Sequence, residues 1–292
     1  MLRIVVSTPL PRSPARIVRA YLVLPHAAPV VVVMATTLGC ALLVSGGPPE
    51  FDLLLLILAA MFGGQLAIGA VNEIVDVDAD AIAKPSKPIP SGLVPVSHAY
   101  VITAIGLVLM IITSAALGPA ALLLSTLGTG CGLAYDLWFK RGAFSWAPYL
   151  VALPLLPIWV WTALETFDPR LLWLYPLGGL AVIGVHLAQT LPDIAGDRAT
   201  GVATLTARLG EPRAMLACWS AIVSGPLLAS AAAAAVVDRP EFVWVAAGGA
   251  ACLVAVHVAL YRVRPRAAIV AAFPVVASST AILGLAWLLA VR

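Results

Sequence analysis

The sequence has few charged residues and no signature of nucleotide or zinc chemistry. Asp, Glu, Lys and Arg make up 11% of the 292 residues, against about 25% in a soluble globular domain. The chain contains no Walker loop, no Gly-x-Gly-x-x-Gly motif and no His-Glu-x-x-His motif, so nucleotide chemistry and zinc hydrolysis have no support. The 4 cysteines lie in apolar segments without paired spacing. They therefore indicate small core residues, not disulfides or metal ligands.

Apolar residues, by contrast, make up 62% of the chain and come in blocks of about 20, the length of a membrane-spanning helix. The basic N-terminus lacks a long apolar region with a cleavage site, so we expect no signal peptide. The pattern predicts an all-α polytopic membrane protein: a single domain over 1–292, with a bundle of about nine transmembrane helices. The predicted spans are 20–45, 51–71, 98–117, 119–136, 145–165, 171–190, 213–236, 241–261 and 267–290.

The basic residues predict the orientation of this bundle. With nine spans, fourteen of the 17 lysines and arginines fall on the side that holds the N-terminus, which indicates that this side is cytoplasmic. The longer loops and all the polar clusters lie on the same side, so we expect a cytoplasmic active site. The net positive charge of the chain follows from the membrane topology and does not indicate nucleic-acid binding.

The most polar stretch begins where the second predicted span ends. On a helix, Asn72, Asp76 and Asp80 fall at i, i+4 and i+8 and share one face. Oxygen ligands aligned in this way repel one another unless a cation lies between them, and Mg²⁺ prefers such ligands. Lys84 and Lys87 follow directly and suit a bound phosphate. The stretch therefore predicts a site for Mg²⁺ and diphosphate at a membrane surface.

A second polar cluster closes the sixth predicted span. Asp193 and Asp197 are again four residues apart, and the same helical stripe extends back to Thr190 and His186. Carboxylates at the end of a membrane helix are costly unless they meet a cation or a wet cavity. We interpret the two acidic pairs as halves of one site for Mg²⁺ ions that bridge a diphosphate.

Further polar residues on the same side have two interpretations. Five cations could contact the diphosphate or only follow the positive-inside pattern: Lys84, Lys87, Lys140, Arg141 and Arg198. Tyr135 could orient substrate or stabilise a cation with its ring, or belong to an interfacial aromatic belt. Glu73 and Asp78 lie off the predicted metal face and are expected to be supporting or solvated residues. We expect structural roles for His26, His98 and His257.

Taken together, these motifs resemble those of the UbiA-type superfamily of intramembrane prenyltransferases. The first motif, N-x-x-x-D-x-x-x-D with a basic, proline-containing tail, corresponds to Asn72, Asp76, Asp80, Lys84, Lys87 and Gly92. The second, D-x-x-x-D-R-x-x-G with a following T-L, corresponds to Asp193, Asp197, Arg198, Gly201, Thr204 and Leu205. Tyr135 with Lys140 and Arg141 matches a third element. The sequence departs from the family pattern at Thr190, where many relatives carry an acid, and at Lys87, where arginine is frequent.

The resemblance implies transfer of an isoprenyl group from a prenyl diphosphate to an aromatic or other lipophilic acceptor. Asn72 and the four aspartates of the two motifs would hold Mg²⁺, the five cations would assist, and an allylic cation would form. Tyr135 would belong to the catalytic set, and His186 and Thr190 are candidates for the acceptor side. Two alternatives stay open: a UbiA-type membrane terpene cyclase, and a lipid-binding or transport protein. Acceptor, donor length, number of Mg²⁺ ions and oligomeric state are not determined by the sequence.

Overall fold

The computed structural model describes residues 13–194, 196, 202 and 204–292, except for the side chain of Ala28. All regular secondary structure in these residues is helical, which confirms the predicted all-α membrane fold. The α-helices are α1 (Pro14–Val23), α2 (Ala27–Ser45), α3 (Phe51–Val75), α4 (Val77–Ala83), α5 (Val96–Ala116), α6 (Pro119–Ala134), α7 (Ala147–Ala163), α8 (Leu174–Thr190), α9 (Leu205–Leu209), α10 (Glu211–Val236), α11 (Pro240–Val263) and α12 (Pro265–Val291). A π-helix spans Tyr135–Phe139, and 3₁₀-helices span Pro169–Trp173 and Leu191–Asp193.

The helices long and apolar enough to cross a membrane correspond closely to the predicted spans. Among the described residues there are 7 of them: Phe51–Val75, Val96–Ala116, Pro119–Phe139, Pro169–Asp193, Glu211–Val236, Pro240–Val263 and Pro265–Val291. Two shorter apolar helices, Pro29–Ser45 and Ala147–Ala163, lie where the two remaining spans were predicted. The count of about nine is therefore an approximate one, with seven helices of full spanning length.

The first predicted span, 20–45, is wrong as a continuous helix. The structure divides it into α1 and α2 by a turn at Leu24–His26. Pro25 lacks the backbone N–H that a continuing helix needs, and His26 has a φ of 59°, in the left-handed region. Helix α1 exposes the cationic Arg16 and Arg19 as well as the apolar Val18. This amphipathic character is typical of a helix at a membrane interface, not of one that crosses it.

Contacts between Cα atoms divide the chain into two compact units. The first comprises the described part of Met1–Gly39 together with Pro48–Asp136, and the second comprises Cys40–Gly47 and Leu137–Arg292. Each unit has its own buried apolar residues. The single domain expected from the sequence stays a prediction.

In the first unit, helices α3 and α5 cross at two glycines. A Cβ atom on Gly63 would lie 2.6 Å from the backbone oxygen of Gly106 and 2.7 Å from the backbone nitrogen of Met110. A Cβ atom on Gly106 would lie 2.6 Å from the backbone oxygen of Gly63. Because both obstacles are backbone atoms, only glycine at these positions permits this helix separation.

We expect Gly63→Ala to lower the thermal stability of the detergent-solubilised protein. The new methyl group must push α3 and α5 apart, and overpacking of this kind costs about 1–3 kcal/mol. Gly130→Ala on α6 is the matched control, because a Cβ atom there meets nothing within 4 Å and alanine is the better helix former. Equal melting temperatures for the two variants would contradict the close crossing.

In the second unit, a buried histidine connects three helices. Trp219 on α10 donates its indole N–H to Nδ1 of His257 on α11, over 3.0 Å. Because indole nitrogen only donates, Nδ1 must accept and the proton must lie on Nε2. That nitrogen lies 2.9 Å from the backbone oxygen of Ala268 on α12. Both ring nitrogens are satisfied, as expected of a structural histidine.

Candidate functional site

The first acidic motif lies across a break between two helices. Helix α3 ends at Val75 and α4 begins at Val77, while Asp76 between them has φ −92° and ψ 1°. The backbone N–H of Asp76 still donates to Asn72, and that of Asp80 to Asp76. The helical hydrogen bonds therefore continue past Asp76 into α4, and the shared face of Asn72, Asp76 and Asp80 stays a prediction.

Asn72 is oriented by a neighbouring carboxylate. Its amide nitrogen donates a 2.5 Å hydrogen bond to Oδ1 of Asp136, a buried residue in the π-helix. Since this bond uses the nitrogen end of the amide, the oxygen end is the one left to act as a cation ligand. π-Helices are frequent at functional sites. Asp136 thus supports a predicted metal ligand.

Asp80, the last member of the motif, is buried beside Lys87. The Lys87 Nζ lies 2.6 Å from Oδ2 of Asp80 and 2.7 Å from Oε1 of Glu73. Burial lowers the pKa of the Lys87 ammonium, but its hydrogen bonds to Asp80 and Glu73 outweigh burial and raise that pKa above its usual value. Lys87 therefore remains charged and neutralises carboxylates that would otherwise repel each other.

Glu73 joins this network although it lies off the predicted metal face. It is 3% exposed, so it is buried and not solvated. His26 Nε2 lies 3.0 Å from Glu73 Oε1, close enough for an ion pair. Within the described residues, Glu73 Oε2 is buried without a hydrogen-bond partner. This segment is built to hold positive charge.

The tail of the first motif turns at a glycine. Gly92 has a φ of +71°, a conformation that favours glycine over any residue with a Cβ atom. Its N–H donates to the backbone oxygen of Ile89. Lys84, at the other end of the tail, is exposed, so the two lysines of this tail have different environments.

The second acidic motif is only partly described. Helix α8 ends at Thr190 and continues as a 3₁₀-helix over Leu191–Asp193. The predicted α-helical stripe is therefore wrong over Leu191–Asp193, where Pro192 cannot supply the N–H that an α-helix needs, and its extension to Asp197 stays a prediction. Asp193 is exposed. Asp197, Arg198 and Gly201 lie outside the described residues.

Two further side chains of this segment have well-defined partners. Nε2 of His186 lies 2.7 Å from the hydroxyl of Ser145, and both side chains are buried. The Thr190 hydroxyl donates to the backbone oxygen of His186 over 3.0 Å, and it also lies 2.5 Å from the hydroxyl of Thr206. The hydroxyl proton of Thr190 is thus already donated to a hydrogen bond within the chain.

The third predicted element, Tyr135 with Lys140 and Arg141, begins in a π-helix and ends in a turn. Tyr135 begins the π-helix Tyr135–Phe139 and is half-buried. Lys140 is half-buried and Arg141 exposed in the turn that follows. Trp138 is 75% exposed, as expected of an aromatic residue at a membrane interface.

The donor atoms of the first motif fit Mg²⁺ in kind, since they are amide and carboxylate oxygens. No group of three or more His, Cys, Asp or Glu side chains in the described part of the chain is arranged to hold a metal ion by itself. Asp197 lies outside the described residues, so this statement does not include it. Mg²⁺ usually keeps several waters and binds through one or two carboxylates plus substrate phosphates, which suits this arrangement.

Comparison with known proteins decides the family. The model of the UbiA prenyltransferase family matches residues 32–281. The chain belongs to the UbiA prenyltransferase family. This confirms the resemblance found from the two acidic motifs, and the match contains every predicted site residue.

Relatives and structural neighbours agree with this family. The bacteriochlorophyll synthase 33 kDa chain of Cereibacter sphaeroides is 32% identical over 176 residues, which is 56% of this chain and 58% of that protein. A structure of digeranylgeranylglyceryl phosphate synthase has a TM-score of 0.75 at 18% identity, over 94% of this chain and 99% of that one. A UbiA homologue from Archaeoglobus fulgidus bound to GPP and Mg²⁺ has a TM-score of 0.66 at 17% identity, over 92% and 99%.

The sequence did not reveal several polar partners around the family motifs. His26 and Glu73 are 47 positions apart, Asn72 and Asp136 are separated by 64, and Ser145 and His186 by 41. Such pairs depend on how helices pack, which periodicity does not encode. One signal was available: Glu73 is next to Asn72 at the end of an apolar span, where an acid is costly without a partner.

Proposed function

We propose that this protein catalyses Mg²⁺-dependent transfer of an isoprenyl group from a prenyl diphosphate to an aromatic or other lipophilic acceptor, with release of diphosphate. The observation that carries the proposal is the first acidic motif, with its amide oriented by Asp136 and its carboxylate beside Lys87. The bacteriochlorophyll synthase relative and the homologue bound to GPP and Mg²⁺ support a prenyl donor and this ion.

The proposed metal ligands are the oxygen-bearing side chains of the two motifs. When bound, Mg²⁺ would neutralise the diphosphate and stabilise it as a leaving group. Asp136 keeps the Asn72 amide in place through its hydrogen bond, and partners of this kind typically matter 10–100-fold for affinity or activity. The ligand set is Asn72, Asp76, Asp80, Asp193 and Asp197.

The remaining roles belong to the cations and to Tyr135. We assign diphosphate contacts to Lys84, Lys87, Lys140, Arg141 and Arg198. Tyr135 would stabilise the developing allylic cation with its ring, while the electron pair of the breaking C–O bond stays on the diphosphate. The distribution of lysine and arginine supports a cytoplasmic N-terminus and a cytoplasmic active site.

A donor and acceptor panel tests this function with the purified full-length protein. Diphosphates from geranyl to long-chain polyprenyl would be combined with a phenol, an alcohol and a lipophilic carboxylate, with Mg²⁺ or with EDTA. We expect Mg²⁺-dependent release of diphosphate and a prenylated acceptor by mass spectrometry. A cyclic product formed without acceptor would indicate that the protein is a cyclase and not a transferase. No diphosphate release from any donor would overturn both.

A further inference from the structure

His186 has one satisfied ring nitrogen and one unsatisfied one. It is 4% exposed and lies one turn before the C-terminal end of α8, among buried apolar residues. Nε2 is paired with the buried hydroxyl of Ser145, and the ring of Tyr149 lies 5.8 Å away, tilted by 37°. Nδ1 is also buried but has no hydrogen-bond partner in the described part of the chain.

Nδ1 lacks a hydrogen-bond partner in either neutral tautomer of the ring. A neutral imidazole has one N–H donor and one acceptor nitrogen. If Ser145 donates to Nε2, then Nδ1–H lacks an acceptor; if Nε2–H donates to Ser145, then Nδ1 lacks a donor. A buried polar atom without a partner costs about 1–3 kcal/mol. The contrast with His257, whose two nitrogens are both satisfied, indicates that His186 has more than a packing role.

The position of His186 along α8 also fits a role in the reaction. It precedes Asp193 by one helical turn of α8 and one 3₁₀ turn, a rise of roughly 12 Å. His186 is therefore deeper in the membrane-spanning segment than the proposed metal ligand. A lipophilic acceptor would lie on this side of the diphosphate, because its apolar body belongs in the membrane and not at the polar end of the helix.

We propose that His186 accepts the proton of a hydroxyl-bearing acceptor at Nδ1, and that Ser145 is the positioning residue that holds the ring for this task. The inference rests on the proposed function. As the acceptor oxygen bonds to the prenyl carbon, the bond from that carbon to the diphosphate oxygen breaks with its electron pair on the diphosphate. The acceptor's O–H proton passes to Nδ1. The substrate class is thus an alcohol or a phenol.

Ser145 suits this role because its oxygen can accept the Nε2–H bond in both states of the ring. The neutral ring with its proton on Nε2 and the imidazolium both donate from Nε2, so the hydroxyl need not rotate when Nδ1 takes up a proton. The Thr190 hydroxyl does not compete, because it already donates to the backbone of the same helix. Positioned proton transfer of this kind contributes about 10²–10⁴-fold.

The test measures how the prenyl group is divided between the acceptor and water, relative to the diphosphate released. Wild-type protein would be incubated with geranylgeranyl diphosphate, Mg²⁺ and either an alcohol or a phenol, with prenylated acceptor and total diphosphate measured together. We expect His186→Gln to lower the ratio of prenylated acceptor to diphosphate about 100-fold. Ser145→Ala should lower it about tenfold, and Ser145→Thr, which keeps the hydroxyl, should restore it to within threefold.

Controls separate this role from a structural one and from the proposed function itself. Ser224→Ala removes a hydroxyl that donates only along its own helix, to the Ser220 backbone, and should leave the ratio unchanged. If His186→Gln and Ser145→Ala lower thermal stability but keep the wild-type ratio, the proposed role is wrong. If the ratio falls equally with the Ser145→Thr variant, Ser145 does not act through its hydroxyl. Absence of diphosphate release from wild type would instead refute the proposed function.

Discussion

Asp76→Asn and Asp193→Asn are each expected to lower the rate of Mg²⁺-dependent diphosphate release about a thousandfold. Each change replaces a charged oxygen ligand by a neutral amide, and a metal ion that stabilises transition-state charge contributes several kcal/mol. A loss of about 4 kcal/mol corresponds to a thousandfold in rate. The measurement is a continuous diphosphate assay on purified protein across a Mg²⁺ titration, in which a weakened site also shifts the curve to higher concentration.

Asp78→Asn is the matched control for the first of these variants. Asp78 is an exposed acid only two positions from Asp76 and lies off the proposed metal face. Its neutralisation changes net charge by the same amount, so we expect a rate within threefold of wild type. Near-normal turnover of both Asp76→Asn and Asp193→Asn would exclude the metal site, whereas an equal loss in Asp78→Asn would point to a general charge effect.

Lys87→Met should destabilise the metal-free protein by about 3–5 kcal/mol, the usual cost of removing one partner from a buried charge pair. The change leaves Glu73 and Asp80 buried without the ammonium that contacts both carboxylates. Methionine retains much of the apolar stem, so lost packing contributes little. The measurement is thermal or denaturant unfolding in a lipid-like detergent, with EDTA present.

Lys84→Met is the control that distinguishes the ion pairs of Lys87 from the loss of one positive charge in the same tail. Lys84 lies three residues earlier and is exposed, so its replacement should leave stability unchanged within about 0.5 kcal/mol. Both lysines are proposed to contact diphosphate, and both variants should raise the KM for the prenyl donor. Equal stability of the two variants would show that the pairs of Lys87 with Glu73 and Asp80 contribute nothing to the fold.

Much of the fold could be predicted from the sequence because a membrane simplifies the problem. Each span must satisfy its backbone internally, so apolar length alone locates helices such as α3 and α10 to within a few residues. The prediction of one continuous helix failed between α1 and α2, because a hydropathy window averages across Pro25 and His26. Backbone features confined to one or two residues are invisible to a pattern about twenty residues long.

The sequence suggested the ligands of the proposed site but did not reveal the contacts that support them. The spacing of Asn72, Asp76 and Asp80 indicated a cation because like charges along a helix need one. It did not show that Asp136 would orient the amide or that Lys87 would neutralise Asp80. The same spacing does not show that α3 ends at Val75 and that α4 begins at Val77.

The position of Lys87 has a consequence for the order of assembly. Many metal sites fold only when the ion is present, because repelling ligands must be brought together. Here the Lys87 ammonium already neutralises Glu73 and Asp80, so we expect this segment to fold without Mg²⁺. If Asp80 binds Mg²⁺ as proposed, the same ammonium would compete with the incoming ion for that carboxylate and weaken the affinity for Mg²⁺ alone. A diphosphate that drew Lys87 toward itself would remove that competition, and donor and metal ion would therefore bind cooperatively.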